Sequence, residues 1–173
     1  MIPAETRLVA ATRDSIGAIA RSPDASRTCA VCHEIGAGAY FGYLWGQDLR
    51  AYCALADRGC QLAANLHADD PQQARAQLCD QNGASEAQFQ AFRLQLYLRV
   101  EGGWGRARRR IERVYASDGR SAHRLAFDAS QAFVAPGGDG FEERRDFLRQ
   151  AYEAGVRRIE DARRAIVEFH GRK

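Results

Sequence analysis

Hydrophobic and polar positions alternate along most of this chain with the period of a helix. Over residues 4–20, Leu8, Val9, Ile16 and Ile19 fall at helical spacing, and Ser22-Pro23-Asp24 ends the run. Residues 21–38 carry no such period and read as the longest irregular stretch. From about 39 to 67, the spacing of Phe41, Leu44, Trp45, Leu49, Tyr52, Leu55, Ala56, Leu62 and Leu66 predicts one long helix with a broad apolar face. A break and restart follow at His67 to Pro71. Asp70 stands at an N-cap position, Pro71 suits the first helical position, and Gln73 has a capping-box-like spacing. That short helix is expected to stop at Asn82-Gly83. Ser85 and Gln88 form a second capping box, which predicts a helix to about Glu101.

One segment points two ways. Leu94, Leu96, Leu98 and Val100 alternate with Arg93, Gln95, Tyr97 and Arg99, which is strand periodicity. The capping box, and the lack of a second convincing strand to pair with, favour helix. After Gly102-Gly103, the positions of Trp104, Ala107, Ile111 and Val114 predict a further helix. Ala122, Leu125, Ala126, Ala129 and Phe133 predict another, terminated by Pro136-Gly137-Gly138. Asp139 and Glu142 cap the last one, whose Leu148, Tyr152, Gly155, Ile159, Ala162, Ile166 and Phe169 keep a four-three spacing. The expectation is therefore a single all-α domain over 1–173. It is an irregular bundle of six or seven helices with a long C-terminal amphipathic helix and an irregular cysteine-bearing segment at about 21–38. The C-terminal stripe packs on the bundle core or pairs with a second subunit, which makes a homodimer through that helix a partner expectation.

Composition confirms a globular chain: 173 residues, 46% hydrophobic and 27% charged. No run approaches the roughly 20 apolar residues of a membrane span. The formal charge of +3 is unevenly spread, because the basic residues concentrate after residue 95. Their densest run is Arg106-Ala-Arg108-Arg109-Arg110, followed by Arg113. On a helix, Arg106, Arg109, Arg110 and Arg113 would share a face suited to phosphates or to an acidic protein surface, though such runs are usually solvated faces. Tyr40-Phe41-Gly42-Tyr43-Leu44-Trp45-Gly46 concentrates aromatics between two glycines, and Tyr40 and Tyr43 are candidates for partner contact. No G-x-S-x-G, Walker-type loop, H-E-x-x-H or dinucleotide fingerprint occurs, and the four histidines are scattered singly. The sequence assigns no catalytic residue, and the expectation is a protein that is not an enzyme.

The five cysteines leave four readings. Cys29-Ala-Val-Cys32-His33 matches the C-x-x-C-H attachment signature of a c-type haem, with His33 as the proximal ligand. Cytochromes often place a methionine on the other side, and Met1 is the only one here. A zinc site would take Cys29, Cys32 and His33 with Cys53 or Cys60, but structural zinc sites usually pair two clusters. A redox C-x-x-C wants an α/β context, which the helical pattern does not offer. As staples the cysteines make better sense. Cys60 and Cys79 flank the Asp69-Asp70-Pro71 turn almost symmetrically, so antiparallel helices would bring them level, and closing that loop would add about 3 kcal/mol. Cys53, two turns before Cys60, would receive Cys29 or Cys32.

The sequence thus predicts an exported, disulfide-stapled helical module that binds another protein and needs no cofactor. Its concrete form is an inhibitor or immunity-type protein acting on an exported toxin or cell-wall enzyme. One alternative is a c-type haem protein for electron transfer or sensing. The other is a cytosolic nucleic-acid-binding protein using Arg106–Arg113. The location is periplasmic or secreted if Met1 replaces a cleaved signal, and cytoplasmic otherwise.

Overall fold

Strands, not helices, organise this chain. The computed structural model describes residues 5–103, 105–133 and 140–171, with the side chains of Ala132 and Phe133 outside that description. The expectations placed on Met1, Trp104, Pro136-Gly137-Gly138 and Asp139 lie outside the described residues. The all-α bundle is corrected to a mixed α/β architecture with two sheets, one parallel and one antiparallel. The chain divides into two compact units, Met1–Val134 and Ala135–Lys173.

The first unit begins with β1 (Arg7–Ala10), α1 (Arg13–Arg21) and β2 (Thr28–Ile35), followed by β3 (Tyr43–Leu44), α2 (Gly46–Cys53) and β4 (Gln61–Leu66). β2 is central. It pairs in parallel with β1 over Thr28–Val31, with β4 from Cys29 to Ile35, and with β3 at Glu34 and Ile35. Because β4 holds one side of β2 at Ile35, β3 lies on the side of β1. The two crossovers wind in one direction, and α1 and α2 pack together. Ile16, Ile19, Leu49, Tyr52 and Cys53 from these helices meet Ala30, Cys32 and Ile35 of β2 in the core. The buried Tyr52 hydroxyl donates to Ala63 O at 2.9 Å and lies 3.2 Å from Ala30 O, bridging β2 and β4.

Three short helical turns complete this layer: α3 (Pro71–Arg75), a π turn at Ala76–Asp80, and α4 (Glu86–Gln90). The two caps read from the sequence are in place. Asp70 accepts from Gln73 N at 2.8 Å, and Ser85 and Gln88 exchange bonds reciprocally at 3.2 and 3.0 Å. Asn82 is buried at the start of α2. Its Oδ1 accepts from Gly46 N at 2.7 Å, and its Nδ2 donates to Gln77 O at 2.7 Å.

The second sheet is an antiparallel meander in the order β5 (Leu94–Glu101), β6 (Arg108–Ala116), β7 (Arg124–Asp128) and β8 (Ala132–Phe133). A register shift at Leu98 leaves Glu112 unpaired in β6, and another leaves Ala126 unpaired in β7. The β6–β7 turn is held by Asp118, which accepts from Arg120 N at 2.8 Å and Ser121 N at 2.7 Å. At the β7–β8 turn Asp128 accepts from Ser130 Oγ at 2.5 Å and Ser130 N at 2.8 Å. These bonds hold both carboxyls below the ordinary aspartate range: those from the Arg120 and Ser121 amides for Asp118, and that from the Ser130 hydroxyl first for Asp128. A depressed folded pKa contributes stability above the unfolded value, near about 3.9, and that contribution is lost as pH falls through the folded value. Acid titration monitored by NMR is expected to disturb the amides of Arg120, Ser121 and Ser130 before those of β2. Simultaneous loss of both sets would contradict this.

The second unit holds α5 (Phe141–Glu153) and α6 (Ile159–Gly171). The long C-terminal helix is corrected to two. Gly155 takes a left-handed φ of +84° and ends α5, despite fitting the apolar spacing by position. Within this unit Phe147 and Phe169 stack with centroids 4.4 Å apart, and the Arg157 guanidinium lies 3.8 Å over the Tyr152 ring.

Candidate functional site

The cysteines do not form staples. All five are free thiols, four buried and Cys79 half-buried. Cys60 closes the turn before β4, while Cys79 sits in the π turn, so the antiparallel helices that were to bring them level do not exist. Cys60 Sγ donates instead to Thr28 O at 3.2 Å. Cys53 packs in the core with Cys32, and Cys29 does not belong to that cluster. The reason lies in β2: residues three apart on a strand project to opposite faces, so Cys29 and Cys32 point apart. That geometry does not fit a covalently attached haem, because one flat macrocycle cannot be reached by two buried sulfurs on opposite faces of a sheet. Nor does it fit a redox C-x-x-C at a helix N-terminus, since the motif lies within the strand. Among the described residues, no group of three or more His, Cys, Asp or Glu side chains is arranged to hold a metal ion.

Burial also silences these thiols. It pushes Cys32 up to about 11 and Cys53 up to about 12, and it raises Cys29, Cys60 and Cys79 as well. A disulfide-forming reagent at mild pH is expected to modify Cys79 first in the folded protein and the other four only on unfolding. Rapid native labelling of Cys29 or Cys32 would contradict this packing.

The arginine run is corrected too. It lies largely on β6, where alternation divides it: Arg109 stands opposite Val100, and Arg110 opposite Arg99. Arg110 pairs with Glu101 at 2.8 Å, and Arg99 pairs with Glu112 at 2.8 Å. Arg113 lies opposite Tyr97, and Arg106 falls in the β5–β6 connection. Arg110 and Arg113 do line a surface hollow of about 490 Å³, but Glu112 and Asp128 line it with them. The four arginines therefore make no common phosphate-facing stripe. Tyr40 and Tyr43 do come together, with ring centroids 5.3 Å apart, and the His33 ring lies 5.4 Å from that of Tyr40. Tyr40 and Phe41 are exposed and Tyr43 is half-buried, at the carboxyl end of β2. Gly42 permits this cluster, since a Cβ there would come within 2.8 Å of the Tyr40 ring.

The largest unexplained feature is one face of the antiparallel sheet. Leu94, Leu96, Leu98 and Val100 project from the same side of β5 and are 58%, 48%, 65% and 57% exposed. Across the ladder, Ile111 opposes Leu98 and is also exposed, while Val114 opposes Leu96. The opposite side of β5 behaves differently. Tyr97 is buried edge-on against Tyr115 at 5.6 Å, and its hydroxyl donates to Gln95 Oε1 at 2.9 Å. His123 Nε2 donates to Phe92 O at 2.8 Å and its ring packs on Phe89. Around Tyr97 the sheet thus turns its polar and aromatic side inward, whereas Arg99, Glu101 and Arg110 further along that side are exposed and the aliphatic side is exposed along all of β5.

β5 is also an open edge. Arg93 O accepts from Ser117 N at 2.8 Å, so Arg93 and Ser117 form a hydrogen-bonded pair beside the Leu94–Ala116 pair. Alternation then aims the backbone groups of Gln95, Tyr97, Arg99 and Glu101 at β6. Those of Leu94, Leu96, Leu98 and Val100 point away from the sheet. No partner takes them among the described residues. The strand alternation of residues 94–100 is a signal in the sequence itself, although the Ser85–Gln88 capping box favours helix there.

Comparison with known proteins assigns this surface to no family: no protein-family model matches the chain, and no curated protein matches it.

Proposed function

We propose that this chain is a protein-binding module whose contact surface is the uncovered aliphatic face and open edge of the β5–β8 sheet. One observation carries the reading: four alternate apolar side chains, each about half exposed or more, line up on an edge strand of eight residues. Contiguous exposed aliphatic surface of this kind marks interaction sites in folded proteins. In its concrete form the reading is that of an inhibitor or immunity-type protein, which needs a surface and no catalytic residues of its own. Five free thiols support a reducing compartment over an oxidising one, and so the cytoplasmic rather than the exported alternative.

Leu148, Tyr152, Ile159 and Val167 are exposed on α5 and α6, which supports a second contact surface on the C-terminal unit, including a homodimer through these helices. The two surfaces are separated by experiment. Wild type, Leu96→Glu/Leu98→Lys and Leu148→Glu/Val167→Lys are each used to retain proteins from native extract, with quantitative mass spectrometry of what is bound. The proposal expects a partner retained by wild type and by the helix variant and lost by the β5 variant. Equal retention by the β5 variant contradicts it.

A further inference from the structure

We propose that two copies of this chain pair through β5, antiparallel about a two-fold axis, to make one continuous eight-stranded sheet. The inference deepens the binding-module reading, because the pairing doubles the aliphatic face offered to a partner. A long hydrophobic edge strand with free backbone groups is a template for pairing; β5 carries no proline or lysine, and its two charges, Arg99 and Glu101, lie on the side opposite the aliphatic face.

The charges on the strand choose the register. For both faces to keep their sense, the outward-aimed residues Leu94, Leu96, Leu98 and Val100 must oppose one another. Opposing Leu96 to Leu98 of the second copy also opposes Leu94 to Val100, and places Arg93 across from Glu101, twice by symmetry. Arg99 then faces Gln95, and Tyr97 faces its own copy. Sliding by two residues one way sets Arg93 against Arg99, a like-charge pair. Sliding the other way sets Arg93 against Gly103 and leaves Glu101 opposite Gln95. Only the first register matches opposite charges over the whole strand, and directly opposed like charges are destabilising in sheets. Arg93 and Glu101 are both exposed and lie on the same side of β5; Glu101 meets Arg110 and Arg99 through Oε1, so its Oε2 is the oxygen offered to Arg93 of the second copy. Each Leu96–Leu98 and Leu94–Val100 pair buries the flanks of side chains that the single chain leaves in water.

Sedimentation equilibrium on the whole chain tests this, supported by thermal melts. Wild type is expected to move from 19.2 kDa toward twice that mass as concentration rises. Leu96→Pro removes an outward N–H and leaves the β6 ladder intact, a placement that edge strands tolerate, so it is expected to stay folded and monomeric. Arg93→Glu and Glu101→Arg are each expected to raise the dissociation constant about tenfold, and the double variant to restore it. A wild type that stays monomeric overturns the pairing, as does a dimeric Leu96→Pro or a double variant no better than the singles. A monomeric wild type whose β5 face variant still loses its partner overturns the pairing and leaves the binding surface standing. A dimer whose face variant keeps its partner does the reverse.

Discussion

Tyr52→Ala is expected to destabilise the first unit by about 3–5 kcal/mol, enough to unfold a chain of ordinary stability. The ring is wholly buried between α2 and the parallel sheet, so truncation opens a cavity that the surrounding strands cannot collapse into. Its hydroxyl adds a separate part. Burial and the neighbouring thiols push its pKa well above the ordinary tyrosine range, and the proton stays on the oxygen that bridges Ala30 O and Ala63 O. Tyr52→Phe keeps the volume and loses that bond, at a cost of about 1 kcal/mol. Denaturant unfolding of the two variants separates packing from hydrogen bonding. Equal losses in both would mean that the bridge, not the ring, holds β2 to β4.

The second large effect is expected at Asn82. Asn82→Leu keeps the branched shape and the number of heavy atoms, yet it removes both 2.7 Å bonds and strands the Gly46 amide and the Gln77 carbonyl. A buried polar group left without a partner costs about 1–3 kcal/mol, so two stranded groups bring the loss to about 2–6 kcal/mol. The damage is local in a useful way. The Gly46 amide opens α2, the helix that carries Tyr52, and Arg50 also donates to Asn82 O at 3.2 Å. Hydrogen exchange in the Asn82→Leu protein is expected to accelerate at the start of α2 and in the π turn before it does in β6. Uniform acceleration would show that Asn82 is a general core residue rather than a local lock.

Local chemistry in this sequence was legible, and the choice between periods was not. Asp70-Pro71 and the Ser85–Gln88 box do cap helices, because a cap needs only residues within three positions. What a cap does not encode is length: the helix after Ser85 ends at Gln90, and β5 begins four residues later. Leu62 and Leu66 fitted a helix at spacing four, but an even spacing also puts two residues on one side of a strand, and there β4 runs. Gly59, with a φ of +74°, ends the turn after α2 and separates the two. In β2 the sequence Thr-Cys-Ala-Val-Cys-His-Glu-Ile lacks clean alternation, as central parallel strands do, so it looked irregular and its cysteines looked available. Leu125 and Ala126 stand side by side because β7 carries an extra residue at Ala126, and Ala122 and Ala129, which completed the helical spacing, lie outside the strand. The proposed contact surface was the most visible feature of all. Leu94, Leu96, Leu98 and Val100 showed strand alternation plainly, and the missing strand to pair with was β6, hidden beneath its arginines.

Side-chain footprinting of the isolated, dilute protein with a photogenerated carbene, read residue by residue by mass spectrometry, tests most directly whether the β5 face is open. Leu94, Leu96, Leu98, Val100 and Ile111 are expected to label far more strongly than the buried Ile19 and Leu49, and to lose that label when the partner binds. Labelling of the β5 side chains as weak as that of Ile19 and Leu49 in the isolated protein would contradict an open contact surface.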